Sequence, residues 1–193
     1  NDDICFENGS TQMRLPMFRQ ETGKELSLAD FVIPYESGKK SPFGMFAISV
    51  HKRSKAHVQG CSCPACSNYY EDMIGRTVRM TVAEAASKWL DEKITPQVGC
   101  KVIKPAAGYA SCPDHTLKGD ILEILKAKEG LGIEVTESYA MTPESSICGL
   151  VFMHPEASYP EIRKISQEQY DNYSKARGMS EETAQRFIGH LLK

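Results

Sequence analysis

No run of residues in this chain is long and apolar enough to cross a membrane as a helix. Neither sign of charge dominates. The formal net charge is −2, so the composition offers no basic footprint for nucleic acid and no patch for a membrane surface. The start, Asn-Asp-Asp-Ile, has no basic region and no apolar region of a signal peptide, and no initiator Met. It reads as the start of a fragment, of a processed chain, or of the ordered part of something longer. There is no phosphate-binding loop, no dinucleotide fingerprint, no Ser-His-Asp order, no internal repeat and no low-complexity tract. Those absences remove the commonest hydrolase, nucleotidase and dehydrogenase readings.

What is present fits one domain of 193 residues, with 41% hydrophobic residues to build its core. The seven cysteines form an odd set, and with no export signal they point to reduced thiols in the cytosol. Residues 1–24 read as polar and irregular, with a short strand or turn from Met13 to Phe18 broken at Pro16. Leu26–Pro34 reads as a strand and Phe43–Val50 as a second, joined by a turn and pairing antiparallel. Tyr69 to about Lys93 reads as one long helix ended by Pro96 and Gly99. Its apolar stripe is Ile74, Val78, Val82, Ala85, Ala86 and Trp89. A second helix enters at Asp114 or Thr116 and runs to about Lys128. Ile133–Ser138 alternates as a strand, and Ser146–Phe152 reads as a buried one. Ser166 with Gln169 matches a capping box, Gly178 stops that helix, and Ser180 caps a last one whose buried face is Ala184, Phe187, Ile188, Leu191 and Leu192. Paired strands separated by helices give an α+β domain with a mainly antiparallel sheet.

The chain is organised around Lys104-Pro-Ala-Ala-Gly-Tyr-Ala-Ser-Cys-Pro-Asp-His-Thr116. Its glycine and prolines suit a tight backbone path that brings amides and carbonyls close to a ligand. Tyr109 adds a flat face with a polar tip, and Lys104 a cation. Glu84 sits between Ala83 and Ala85, where small neighbours leave room for a ligand. Tyr159, Glu137 and His115 are loop, strand-end and helix-entry residues that the spacing alone does not single out. Cys61, Cys63 and Cys66, with His57 four residues before them, bring thiolates and an imidazole together as candidate zinc ligands. The set lacks the distant second pair of a usual structural zinc site, and three reduced thiols is the other reading.

Taken together, the 104–116 motif, Thr136-Glu-Ser-Tyr-Ala-Met141, Gly149-Leu-Val-Phe-Met-His-Pro155, Leu28–Gly38 and Ala83-Glu-Ala85 resemble the activation domain of cobalamin (vitamin B12)-dependent methionine synthase. The resemblance spans nearly all of residues 1–193, with the N-terminal part short. It implies a C-shaped, single α+β domain with a twisted, mainly antiparallel sheet flanked by helices. It implies S-adenosylmethionine binding in support of reductive methylation (reactivation) of cobalamin in methionine biosynthesis. By position, it assigns Glu84, Lys104, Ala106, Gly108, Tyr109 and Tyr159 to that cofactor and His115 to the corrin-facing side. It implies a cytoplasmic methyltransferase system in which this domain is not active alone. The partners are a cobalamin-binding domain or corrinoid protein, which holds the cobalamin, and a flavodoxin-type electron donor. No membrane and no nucleic acid enters. The other reading is a ligand-free regulatory or docking relative that binds a corrinoid protein. Two departures stand out: lysine replaces the family's usual arginine at 104, and Pro160 replaces an aromatic.

Overall fold

The computed structural model describes residues 2–9, 11–51 and 69–192. The elements in chain order are β1 (Asp3–Asn8), β2 (Thr11–Pro16), β3 (Phe43–Ser49), α1 (Tyr69–Val98), β4 (Val102–Ile103), α2 (Leu117–Ile124), α3 (Ala127–Leu131), β5 (Glu134–Val135), β6 (Met141–Thr142), β7 (Ser146–Met153), α4 (Gln167–Ala176) and α5 (Glu181–Ile188). Every strand pair is antiparallel, and the architecture is α+β.

The apolar run Ser146–Met153 is the middle strand of the order β3–β7–β4, and its buried residues explain why it lacks the polar alternation of a half-exposed strand. Leu150 and Phe152 are fully buried in the main core, with Ile103, Leu117 and Ile121. Across β3 and β7, Phe46 lies opposite Gly149. A Cβ on Gly149 would stand 2.5 Å from the Pro105 carbonyl oxygen and 2.9 Å from Phe46. Only glycine lets the chain after β4 cross this strand so closely. A second, smaller core joins Phe18, Ile162, Ile165, Tyr170, Tyr173, Ala184, Ile188 and Leu191.

Several sequence expectations change. Leu26–Pro34 is not a strand but a 3-10 turn over Leu28–Phe31, and β3 pairs with β7 instead. Asp30 accepts from Ser27 N at 2.8 Å and Ser27 Oγ accepts from Ala29 N, which closes a capping box. Leu28 and Phe31, three apart, then turn into the core together. The polar start of the chain is an ordered hairpin, β1 with β2, which buries Ile4 and Leu15; β2 ends at Pro16. The helix expected through Lys128 breaks at Lys126, whose φ is +49°, and resumes as α3. Only Glu134–Val135 of Ile133–Ser138 is strand; Glu137 is an exposed turn residue.

The long helix forms but runs through Pro96 to Val98, ending at Gly99 with φ +65°. Most of its expected apolar stripe faces outward: Ile74, Val78, Val82 and Trp89 are 45–57% exposed, and of the stripe Ala86 turns toward the sheet side. The side that meets the sheet is centred on Ala83, 1% exposed, flanked by half-buried Ala86, Ser87, Leu90 and Asp91. Close approach of a helix to a sheet takes a small residue, and Ala83 supplies it.

The C-terminal helices follow their caps. Ser166 Oγ accepts from Gln169 N at 3.2 Å, but Gln169 does not reach back; Glu21 takes the Ser166 N–H at 2.9 Å instead. Ser180 Oγ accepts from Thr183 N, and Gly178 stops α4 with φ +62°. Among the described residues no helix is long and apolar enough to cross a membrane.

Candidate functional site

The loop from Lys104 to Thr116 leaves the edge strand β4 and enters α2, so it is held at both ends by regular structure. Its first half folds into a tight turn. Gly108 N donates to Cys112 O at 2.8 Å, Tyr109 N to Ala106 O at 3.3 Å, and Cys112 N to Tyr109 O at 2.8 Å. Gly108 has φ +91°, a conformation that side chains with a Cβ avoid. The vacant side of Gly108 is filled by His115: a Cβ there would stand 2.4 Å from the imidazole Cε1. The turn leaves Ala106 and Gly108 half-exposed and the Tyr109 ring 72% exposed.

Tyr159 stands at the loop's other end. Its hydroxyl accepts from Lys104 N at 2.9 Å while 58% of the residue remains exposed. A hydroxyl anchored to backbone with its ring in solvent makes a fixed aromatic face. Glu84 is exposed on α1. It shares one helix edge with Ser87 and Asp91, at spacings of three and seven, and Lys104 reaches that same edge. Lys104 itself is 8% exposed and points into α1, with Nζ hydrogen-bonded to the Ser87 carbonyl and Oγ and 3.0 Å from Asp91 Oδ1.

His115 is half-buried beside this turn. Its Nδ1 accepts from Lys118 Nζ at 2.8 Å, which leaves the proton on Nε2, and Lys118 also donates to Tyr139 O at 3.1 Å. Burial and then the Lys118 cation push the His115 pKa down, against a smaller upward pull from Asp114 and with a further downward push from His190. Burial also lowers the pKa of Lys118.

The second half of the loop is sealed. Asp114 is fully buried; its carboxylate accepts from Thr116 N at 2.7 Å, Thr116 Oγ1 at 2.8 Å and Tyr173 Oη at 2.8 Å. Arg177, one turn beyond Tyr173 at the C-terminal cap of α4, brings Nε to 3.4 Å of Asp114 and pairs with Asp120 at 2.6 Å. Burial, then the charge of Asp114, pushes the Tyr173 hydroxyl well up. The network locks the loop to α2 and α4. Sequence reading passed over Ser87, Asp91, Lys118, Tyr173 and Arg177. The i, i+4 spacing of Tyr173 and Arg177 and the Asp-x-Thr turn were the signals for the network.

Cys112 and Cys148 lie beneath the loop. Burial raises their thiols to about 12 and about 11, so neither is a nucleophile or a ready metal ligand near neutral pH. Among the described residues no three His, Cys, Asp or Glu side chains form a metal cluster. Cys61, Cys63, Cys66 and His57 lie outside the described residues.

The arrangement is an open surface on an α+β domain: two exposed aromatics, a small-residue backbone path between their attachment points, and a helix carboxylate. The vitamin B12 dependent methionine synthase activation-domain family matches residues 1–178, and the chain belongs to that family. A crystal structure of the MetH reactivation domain bound to AdoHcy is similar over 99% of this chain, with a TM-score of 0.77 and 28% identity. The chain spans 66% of that protein's length.

Proposed function

We propose that this chain binds S-adenosylmethionine and serves the reductive methylation of a cobalamin held by another domain or protein. The observation that carries it is the exposed turn: Tyr159 fixed at Lys104, Tyr109 at the far end, and the half-exposed backbone of Ala106 and Gly108 between them. Polar backbone groups beside exposed aromatic faces suit a nucleoside with a thioether or sulfonium tail. Glu84, on the neighbouring helix edge, favours the cationic end of such a ligand by charge. When bound, S-adenosylmethionine supplies the methyl group that goes to cobalt. The residues of this chain hold and orient it, and His115 marks the side that faces the corrin. The electron comes from a flavodoxin-type donor. A site this open leaves one side of the ligand uncovered for the cobalamin-bearing partner.

The test is isothermal titration with S-adenosylmethionine and S-adenosylhomocysteine. The parent chain binds both, and Tyr109→Ala weakens binding of both with the circular-dichroism spectrum retained. Unchanged affinity in that variant overturns the placement. Methylcobalamin forms only when a cobalamin-loaded partner and a reductant are added. Efficient turnover of free cob(II)alamin by this chain with reductant overturns the accessory role.

A further inference from the structure

We infer that Lys104 is a pin between the loop and α1 rather than the receptor for a ligand carboxylate, and that Asp91 is a positioning residue of the site. This rests on the S-adenosylmethionine reading above. An ammonium has three N–H donors. Two of them have acceptors on one edge of α1, the Ser87 carbonyl and Ser87 Oγ at 2.7 Å, and the charge is paired with Asp91 Oδ1 at 3.0 Å on the same edge. The lysine side chain is 4% exposed, and Nζ lies 5.1 Å from the Phe46 ring centroid. A ligand carboxylate meets this cation only after one of these partners is withdrawn. Asp91 Oδ1 is itself buried while that side chain as a whole is 44% exposed, so withdrawing it leaves the buried Lys104 ammonium without its ion-pair partner.

The same contacts build the site. Lys104 is held at both ends, by its side chain to α1 and by its backbone N–H to Tyr159 Oη at 2.9 Å. Ser87 and Asp91 share the helix edge that carries Glu84. The pin therefore sets the spacing of the three ligand-facing parts: the Glu84 edge, the Pro105–Gly108 backbone and the Tyr159 ring. A site arranged this way reads the nucleoside and its sulfur, and gains no charge pair between Lys104 and the amino-acid carboxylate. The ligand class is a 5′-thioadenosine, with or without the amino-acid tail.

The experiment titrates the parent chain, Lys104→Met, Lys104→Arg and Asp91→Asn with S-adenosylhomocysteine and with 5′-methylthioadenosine, which lacks that tail. The parent binds both ligands with affinities within about tenfold of each other, less than the loss of a buried charge-assisted bond would give. Lys104→Met and Asp91→Asn weaken both ligands by a common factor, on the order of tenfold, as misplacement of binding groups does. Lys104→Arg fails to restore binding, because a planar guanidinium does not fit acceptors set for a compact ammonium. Three results overturn the pin: Lys104→Met losing S-adenosylhomocysteine alone, Lys104→Arg binding it more tightly than the parent, or Asp91→Asn binding it more tightly. If Lys104→Met does not fold, Ser87→Ala and Asp91→Asn make the same two-ligand comparison. A urea double-mutant cycle on Asp91→Asn and Ser87→Ala reads the pin without ligand; coupled losses support it and additive losses overturn it. Failure of the parent to bind either nucleoside overturns the ligand reading, and the urea cycle then decides the pin alone.

Discussion

The two halves of the 104–116 loop are neighbours in sequence and have opposite fates. From Ala106 to Ala110 the chain is at the surface apart from buried Ala107, with the Tyr109 ring in solvent. From Cys112 to Thr116 it is buried apart from half-exposed His115, and the Asp114 carboxylate is satisfied by three donors, two on Thr116 and one on Tyr173 of α4. The sealed half carries Asp114 and Thr116, which find buried partners, and the open half carries small residues and Tyr109, which do not. The sealed half meets α4, whose Tyr173 stacks on Phe18 with ring centroids 3.9 Å apart and so cannot swing away. The open half is held through its backbone, Ala106 bridging to Gly149 of β7 and Ala110 O accepting from Ile162 N at 2.8 Å, and these contacts leave the Tyr109 ring uncovered. A rigid anchor next to an uncovered turn lets a loop carry binding groups without losing their placement.

Changes in the sealed half should cost stability first. Asp114→Ala removes a fully buried carboxylate and leaves Tyr173 Oη and Thr116 Oγ1 without their acceptor. The expected loss is about 3–5 kcal/mol, the cost of breaking a buried ionic network at one partner. Urea unfolding measures it, and a loss under 1 kcal/mol would mean that the anchor is dispensable.

At the junction of the halves, Gly108→Ala places a Cβ at φ +91° and against His115. A destabilisation of about 1–3 kcal/mol is expected, from backbone strain and the displaced imidazole. The Gly108–His115 contact explains why the two residues belong together, and thermal unfolding with an NMR readout of the His115 ring checks both effects.

How much of this was legible from the residues alone varies with how local the cause is. The run Ser146–Met153 announced a buried strand because burial needs only apolar side chains. Ser166 and Ser180 announced helix starts because a cap acts within three residues. Leu26–Pro34 misled because its alternating apolar residues outweighed the Ser27–Asp30 box beneath them. The outward stripe of α1 misled for a different reason. That helix is apolar on two faces, and the sheet took the one with Ala83, whose small size allows close packing. Gly108 and Tyr109 could be named from the 104–116 motif, and Tyr159 only through the family resemblance. Their exposure could not, since it depends on which neighbours fail to cover them.

In the open half, Tyr109→Ala is expected to leave stability within about 0.5 kcal/mol, as for a surface substitution without structural partners. Its ligand affinity should still fall. A stability loss as large as that of Gly108→Ala would show that the ring packs on the protein. The smallest effect concerns pH. The folded state holds the His115 pKa below its ordinary value of 6.5, chiefly by burial and by Lys118. As the pH falls below that value, the unfolded chain takes up a proton that the folded chain resists, so stability declines with acidification until the folded pKa is passed. Above it both states are neutral and the contribution is flat. His115→Gln should flatten the stability profile over that window, and an unchanged slope would assign the effect elsewhere.

The most direct measurement is an amide ¹⁵N–¹H titration of the chain with S-adenosylhomocysteine. Shifts should be confined to Ala106–Ala110, Tyr159 and the Glu84 edge of α1, with Asp114 and Thr116 unmoved. Shifts centred on the outward stripe of α1, or no shifts at all, would contradict the claim that the open half of the loop is the ligand site.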